Sequence, residues 1–432
     1  MKKLLLISYY WPPAGGGGVQ RWLKMSKYLK EFGWELVVVT PYKTDGTVTD
    51  YSLEKEVRKD ITIIRTKIWE PYNLFKKFTG KKKEAKVYSG FIDENTTPSL
   101  TKKISVFIRG NFFIPDARKF WIRPAFQEIK QYLKKNKIDA VVSTGPPHTT
   151  HLIALKVKEK YNLPWITDFR DPWTNIDFYH QLKLSKWADS YHKKLEKQVL
   201  LKSTKIVTVS WAWADDFKRI CERDDIVVIT NGFDHADFVN TETDLNEKFT
   251  FTHIGSMNSD RNPKVLWKVL QDLSTENETF SKDLQIKLIG TVDFSIINCI
   301  ENNNLTNKLL KVDFIPHSDV IKEMKKSQIL LLPINDTPNV KGVLPGKLYE
   351  YIGANRPILA IGPKYSDAFK IINETSSGKM FNYDDYENLK KAILDWYTQY
   401  KNNNLAISST AYSKYRRKNL AKKYTELLNS II

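Results

Sequence analysis

Gly342-Val-Leu-Pro-Gly-Lys-Leu-Tyr-Glu-Tyr-Ile-Gly-Ala-Asn-Arg-Pro-Ile-Leu-Ala-Ile361 reads as a loop, a helix and a strand in succession. Pro345 and Gly346 close the loop, and the helix is predicted from about Lys347 to Ala354. Asn355 and Arg356 turn out of it, and Pro357 to Ile361 is extended. The first turn of a helix leaves four N–H groups without intrahelical partners and carries the positive end of the helix dipole. A glycine there lets a ligand approach the main chain, so this is a candidate anion site. Lys347 adds a full charge, and Glu350 lies one turn on, on the same face. Leu348 and Ile352 point the other way, toward a core. Read alone, the stretch is equally a capped surface helix with a Lys–Glu ion pair.

The same alternation runs outward through the chain. Leu4–Ser8, Leu36–Thr40, Ile61–Ile64, Ala140–Ser143, Trp165–Thr167, Ile206–Val209 and Ile226–Ile229 are short apolar, β-branched runs separated by helical patterns. A second series comprises Phe249–Phe251, Ile286–Ile289, Val312–Phe314, Ile329–Leu332 and Ile358–Ile361. Such alternation predicts parallel sheets covered on both faces, an α/β fold of two Rossmann-like domains. The polar, aperiodic segment near 236–248 is the expected break. It divides the chain into residues 1–240 and 241–405, with a tail helical from about Ala406 to 432 packing back on the first domain. Ligands of open α/β sheets bind beyond the carboxyl ends of the strands. Each domain supplies glycines there, Gly15 to Gly18 in one and Gly255 in the other.

At 432 residues the chain is long enough for two buried cores. Cys221 and Cys299, with no CxxC, argue against a disulfide framework or zinc cluster and fit a reducing cytoplasm. The opening Leu-Leu-Leu-Ile run is too short for a signal peptide and reads as the first buried strand. The formal net charge of +19 is partly local: Lys67 to Phe126 holds 13 Lys/Arg against 5 Asp/Glu, interleaved with aromatic residues. That composition suits an anionic membrane surface or another polyanion, or simply a solvated basic face. The long basic stretch from Tyr72 to Thr101 reads as a loop.

Several motifs sit where strands end. The four glycines match neither G-x-x-x-x-G-K-[ST] nor a clean G-x-G-x-x-G, so they say only that the backbone can approach a ligand closely. Thr144-Gly-Pro-Pro-His148 opens a helix and should project His148 at a sheet edge, with helix capping or packing as its other possible role. His151 reads as structural. In Asp168-Phe-Arg170-Asp171-Pro-Trp173 the two carboxylates either lock the arginine or bind substrate hydroxyls, and the sequence leaves both open. Asn231-Gly-Phe-Asp234 reads as a turn.

Taken in order, Pro12-Pro-Ala-Gly-Gly, Gly-Pro-Pro-His148, Asp168-Phe-Arg-Asp-Pro-Trp, Asn231-Gly-Phe-Asp, Gly255 with Arg261-Asn-Pro, and Pro345-Gly-Lys-Leu-Tyr-Glu350 resemble glycosyltransferase family 4. These are retaining enzymes of the GT-B fold, and the resemblance extends from Leu4 to the last helix. It implies that the glycine loop, with Gly16 and Gly17, lies near donor phosphate and acceptor. His148 then contacts the donor sugar, Gly255 lines the donor site, and Arg261 or Lys264 steadies the diphosphate. Lys347 and the backbone of Gly346 to Leu348 hold the phosphates, and Glu350 holds the ribose as the second Glu of an E-x7-E motif. The first Glu of that motif is replaced by Gly342. Catalytic roles fall on His148, Lys347 and Arg261. Asp168, Arg170 and Asp171 remain acceptor or substrate candidates.

The resemblance thus implies a hexosyltransferase-type enzyme. It uses a nucleotide-sugar donor, a UDP-sugar in preference to a GDP-sugar, as substrate, with no cofactor and no metal. The acceptor is a glycan or lipid-linked sugar in cell-surface polysaccharide synthesis, and the enzyme works in the cytoplasm or at the inner face of the membrane. A nucleotide-sugar epimerase on the same fold is the alternative. A nucleic-acid or other polyanion-binding protein ranks lower, because no reading module is apparent.

Overall fold

The computed structural model describes residues 1–44, 49–69, 100–239, 241–313, 315–407, 409 and 412–432. The long basic stretch between Tyr72 and Thr101 falls almost wholly outside them. The chain forms two compact units, Met1–Thr230 with Lys418–Ile432, and Asn231–Arg417.

The first unit runs β1 (Lys2–Ser8), α1 (Gly17–Leu29), β2 (Trp34–Pro41), β3 (Thr62–Thr66), α2 (Leu100–Phe112) and α3 (Ile122–Leu133). It continues with β4 (Ala140–Gly145), α4 (Thr149–Tyr161), β5 (Trp165–Phe169), α5 (Lys186–Lys202), β6 (Lys205–Thr208), α6 (Trp211–Cys221) and β7 (Ile226–Val228). The strands form one parallel sheet in the order β3-β2-β1-β4-β5-β6-β7. Leu4, Leu5, Leu6 and Ile7 are all fully buried, as a strand covered on both faces requires. The order reverses between β1 and β4. The loops leaving those two strands, which carry the four glycines and His148, therefore flank the point where such sheets open a crevice.

The second unit runs α7 (Ala236–Val239), β8 (Phe249–Ile254), α8 (Lys264–Glu276), α9 (Glu278–Asp283), β9 (Leu284–Ile289), α10 (Phe294–Asn302) and β10 (Leu309–Val312). It ends with α11 (His317–Lys326), β11 (Ile329–Pro333), α12 (Gly346–Ala354), β12 (Ile358–Ile361), α13 (Asp367–Thr375), β13 (Gly378–Phe381) and α14 (Tyr386–Lys401). Its parallel sheet has the order β10-β9-β8-β11-β12-β13. Here the reversal lies between β8 and β11. The loop after β8 holds Gly255, and the loop after β11 leads into α12. Segment 236–248 belongs to this unit, where Lys325 donates to the carbonyls of Phe238 and Thr241.

The last helix, α15 (Arg417–Asn429), buries Leu420, Ala421, Tyr424 and Leu428 in the core of the first unit, against Trp22, Leu29 and Val207 among others. Tyr424 meets Trp22 edge-on at 4.9 Å. Burying one such large side chain contributes roughly 1.5–3 kcal/mol, so the helix is bound by several.

Four readings of the sequence need correction. Where a strand is expected at Val312–Phe314, the described strand is Leu309–Val312, and Phe314 lies outside the described residues. The tail is not helical from Ala406; its helix starts at Arg417 after a 3-10 turn at Tyr412–Tyr415. The strand after α12 starts at Ile358, one residue beyond the expected Pro357, because Pro357 offers the sheet no N–H. Strand β13 went unnoticed, since Gly-Lys-Met-Phe is short and carries no β-branched residue.

Candidate functional site

In the first unit the glycine loop leaves β1 and enters α1 at Gly17. Gly16, at φ +92°, is the N-cap, and no side chain caps the helix. Gly16 and Gly17 have open space where a Cβ would stand. Gly18 does not: its Cβ would come within 2.8 Å of Tyr10 and 3.2 Å of Arg170. Arg170 explains this crowding. Its guanidinium donates to the carbonyls of Gly18 (2.5 Å), Gly145 (3.2 Å) and Pro146, and lies over the Tyr10 ring. It therefore ties the glycine loop to the Gly-Pro-Pro-His turn, and burial pulls its proton affinity down.

Asp168 is paired, but not with Arg170. Its carboxylate, fully buried, accepts from Arg21 Nε (3.1 Å) and Nη2 (2.9 Å), Trp22 Nε1 (2.8 Å) and Thr144 Oγ1 (2.9 Å). Arg21 also donates to the carbonyls of Ile229 and Thr230. Asp168 is thus locked to Arg21 rather than to the arginine two residues on that the sequence offered. Asp171 is half-buried, and burial raises its pKa although Arg170 opposes the shift.

His148 stands just before α4, and its side chain is 7% exposed. It does not cap the helix. That role belongs to Asp116, whose carboxylate accepts from Thr149 N (3.0 Å) and Thr149 Oγ1 (2.7 Å). The imidazole stacks flat on Trp173, with centroids 4.8 Å apart and 3° between planes. Its Nδ1 is buried without a hydrogen-bond partner among the described residues. Burial first, then the neighbouring His151, His192 and Arg170, hold its pKa well below the ordinary histidine value. His151 is structural: it is wholly buried, its Nδ1 lies 2.8 Å from Ser143 Oγ, and burial lowers its pKa to about 3. A Cβ at Gly145 would lie 2.6 Å from His151 Nε2 and 3.3 Å from His148 Nδ1, so only glycine leaves room for both rings.

In the second unit α12 begins at Gly346 with Pro345 as N-cap and no side-chain cap. Leu348 N–H already donates to the Pro345 carbonyl at 3.0 Å, and its side chain is in the core. The backbone donors at this end are thus those of Gly346 and Lys347 rather than that of Leu348. The Lys347 side chain crosses over Gly255: a Cβ there would lie 2.9 Å from Lys347 Cε. Gly255 has φ +119°, and Gly290 backs it so closely that a Cβ on Gly290 would meet the Gly255 carbonyl at 2.8 Å. Lys347 Nζ is 3.4 Å from Glu350 Oε2, with both side chains about a third exposed.

Arg261 donates to the Ser256 carbonyl (3.1 Å) and to Asn335 Oδ1, linking the loops after β8 and β11. His253 lies beneath, its Nδ1 3.1 Å from the Leu331 carbonyl. Burial, with Lys347 and Arg261 nearby, lowers its pKa to about 4. Gly255, Arg261, Lys347 and Glu350 are thereby gathered at one end of one sheet. Lys264 stands exposed at the start of α8, with no hydrogen bond or ion pair to this group. Gly342 is buried in a 3-10 turn.

Sequence reasoning missed Arg21, Asp116, His192, Glu196 and His253. No short spacing announces them; each meets its partner only through the fold. Among the described residues no three His, Cys, Asp or Glu side chains are grouped as metal ligands, and no helix is long and apolar enough to cross a membrane.

Residues 93–237 match the family model described as Glycosyltransferase Family 4. No curated protein matches the sequence. Among solved structures, Anabaena HepE in complex with UDP-glucose is similar at TM-score 0.63 and 12% identity, covering 100% of both chains. Staphylococcus aureus TarM, solved with UDP, α-GlcNAc-glycerol and Fondaparinux, is similar at TM-score 0.56 and 13% identity, over 99% of this chain and 100% of that one. A putative UDP-N-acetylglucosamine 2-epimerase of Listeria monocytogenes reaches TM-score 0.56 at 11% identity, over 100% and 96%. At these identities the likeness is one of fold: two Rossmann-like parallel-sheet domains of the GT-B class.

Proposed function

From a GT-B chain whose residues 93–237 match glycosyltransferase family 4, we propose a retaining glycosyltransferase that moves a sugar from a nucleotide-sugar, a UDP-sugar in preference to a GDP-sugar, to a glycan or lipid-linked acceptor. The observation that carries the reading is the second unit's cation cluster: Lys347 lies across Gly255 at the uncapped start of α12, and Glu350 stands one turn on. The helix start, Lys347 and Arg261 bind the diphosphate, and Glu350 accepts from the ribose hydroxyls. His148 and the glycine loop serve the sugar and acceptor.

In the reaction the bond from the anomeric carbon to the diphosphate breaks. The acceptor hydroxyl attacks on the same face, and the departing phosphate oxygen takes its proton. Fixed positive charge where negative charge grows is the main contribution required of the protein. Lys347→Ala tests the assignment: turnover and diphosphate affinity should fall while affinity for the free nucleoside is kept. Equal losses for nucleoside and diphosphate would remove Lys347 from the phosphates.

The resemblance to an epimerase structure keeps the second reading in view. Interconversion of the donor sugar without release of nucleoside diphosphate would favour it. The membrane part of the reading rests on α2, where Ile104, Phe107, Ile108 and Phe112 are exposed beside Arg109, with Lys119 nearby over the rings of Phe113 and Phe120. Each cation near anionic lipid contributes about 1 kcal/mol. Sedimentation with anionic vesicles should weaken in high salt and when Arg109 and Lys119 become Glu; indifference to such vesicles at low salt would sink this part alone. Lys81, Lys82 and Lys83, which belong to the same basic window, lie outside the described residues.

A further inference from the structure

The segment after β5 ends in Trp173, and two residues of α5 hold it. The indole N–H of Trp173 donates to His192 Nδ1 at 3.0 Å. Four residues on, and so on the same face of the helix, Glu196 accepts the backbone N–H groups of Trp173 and Thr174, both at 3.3 Å, and the Thr174 hydroxyl. Glu196 is 1% exposed, and Trp173 3%. These bonds fix both the position and the tilt of the indole. Its flat face then carries the His148 ring at 4.8 Å and 3°.

Beside the indole, the His148 ring meets the backbone of Pro172, the residue just before Trp173. Its Nδ1 is buried without a hydrogen-bond partner among the described residues, on the side where Gly145 lacks a Cβ. Its remaining ring neighbours, His151 at 5.8 Å and Phe169 at 5.9 Å, are tilted by about 30° and do not stack. The π-face under the imidazole and the Pro172 backbone that its ring meets thus both belong to the segment that His192 and Glu196 hold. We propose that Trp173, anchored by His192 and Glu196, is a positioning residue that fixes the His148 ring for the donor sugar. The inference rests on the reading that His148 serves that sugar.

The charged and titratable groups around His148 are His151 on α4, Arg170 and Asp171 beyond β5, and His192 on α5, with Asp116 bound to the next residue, Thr149. Three of these are histidines or an arginine that oppose a second positive charge, so the stacked ring works as neutral imidazole. Removing the indole admits water to one face and makes protonation easier.

The experiment uses the full chain with UDP-glucose or UDP-N-acetylglucosamine, whichever is hydrolysed, and follows release of UDP. Trp173→Leu should lower kcat at least tenfold, leave KM and UDP affinity within about twofold, and move the acidic limb of the kcat–pH profile upward. Trp173→Phe, which keeps a ring but not the N–H, should lose only a few-fold, and His192→Ala should match it. If Trp173→Leu does not fold, the Phe and His192 variants decide by the same pH limb. Wild-type kcat and an unmoved limb in these variants, with His148→Ala inactive, would overturn the positioning role and leave the parent reading standing. A fully active His148→Ala would overturn both.

Discussion

Gly255→Ala tests the geometry of the proposed donor site most closely. Gly255 has φ +119°, a region that residues with a Cβ rarely enter, at a cost of roughly 1–3 kcal/mol. At about 2–4 °C per kcal/mol for a unit of this size, melting should fall by roughly 2–12 °C. The new methyl would also stand 2.9 Å from Lys347 Cε. That contact is with the far end of a flexible side chain, so the protein still folds and the ammonium is displaced instead. A charge-assisted hydrogen bond contributes roughly 1.5–3 kcal/mol, so UDP should bind about ten- to a hundredfold more weakly, whereas uridine affinity should change little. Gly346→Ala is the control for the fold: apart from its chain neighbours and its own helix backbone, nothing lies within 4 Å of its would-be Cβ, so stability should be kept or slightly raised. Calorimetric titration with uridine and UDP on both variants gives the answer. Wild-type UDP affinity in Gly255→Ala, with melting lowered as expected, would refute a phosphate role for Lys347 as it lies here.

Three further outcomes are expected. Glu350→Ala should weaken nucleotide binding by roughly 1.5–3 kcal/mol with melting nearly unchanged, because its ion pair with Lys347 is partly exposed and stabilises little; unaltered affinity by titration would remove Glu350 from the ribose. Asp168→Ala strands the buried Arg21 charge at a cost of roughly 3–5 kcal/mol, which denaturant unfolding of the first unit should register; a loss under 1 kcal/mol would contradict the lock. Stability should also fall as pH drops below about 6.5, because unfolded His151 and His253 then bind protons that the folded protein refuses until about 3 and about 4. Each contributes a slope of about 1.4 kcal/mol per pH unit, and His253→Asn should flatten the curve between pH 6.5 and 4. An identical curve would mean that His253 is not buried neutral.

The fold was largely legible because both sheets are parallel and buried on both faces, which leaves unbroken apolar runs such as Leu4–Ile7 and Ile329–Leu332. Two of the four misreadings fell on the second sheet's edge strands. Leu309–Val312 is half exposed, and Gly378–Phe381 has a single four-residue run without a branched side chain. The helix at Lys347 and the glutamate one turn on could be read because helical periodicity places them by counting. Contacts across the fold could not. Arg21 meets Asp168 from 147 positions away, Lys347 reaches Gly255 from another strand's loop, and Asp116 rather than His148 caps α4. The Asp168-Phe-Arg-Asp motif shows the difficulty well: its neighbouring charges suggest a local pair, yet the fold sends Asp168 to Arg21 and Arg170 to backbone carbonyls.

If the second unit binds the nucleotide diphosphate of a sugar donor, that ligand stabilises the native protein. The most direct measurement is a thermal-shift series with UDP, GDP, ADP and their sugars on the intact protein, repeated with Lys347→Ala. A ligand bound at a hundred times its Kd adds about 2.7 kcal/mol to stability. One nucleoside diphosphate and its sugar, expected to be UDP and a UDP-sugar, should raise the melting temperature of the wild type, and the rise should largely vanish in the variant. No shift with any of them at millimolar concentration, or an equal shift in wild type and Lys347→Ala, would contradict the account.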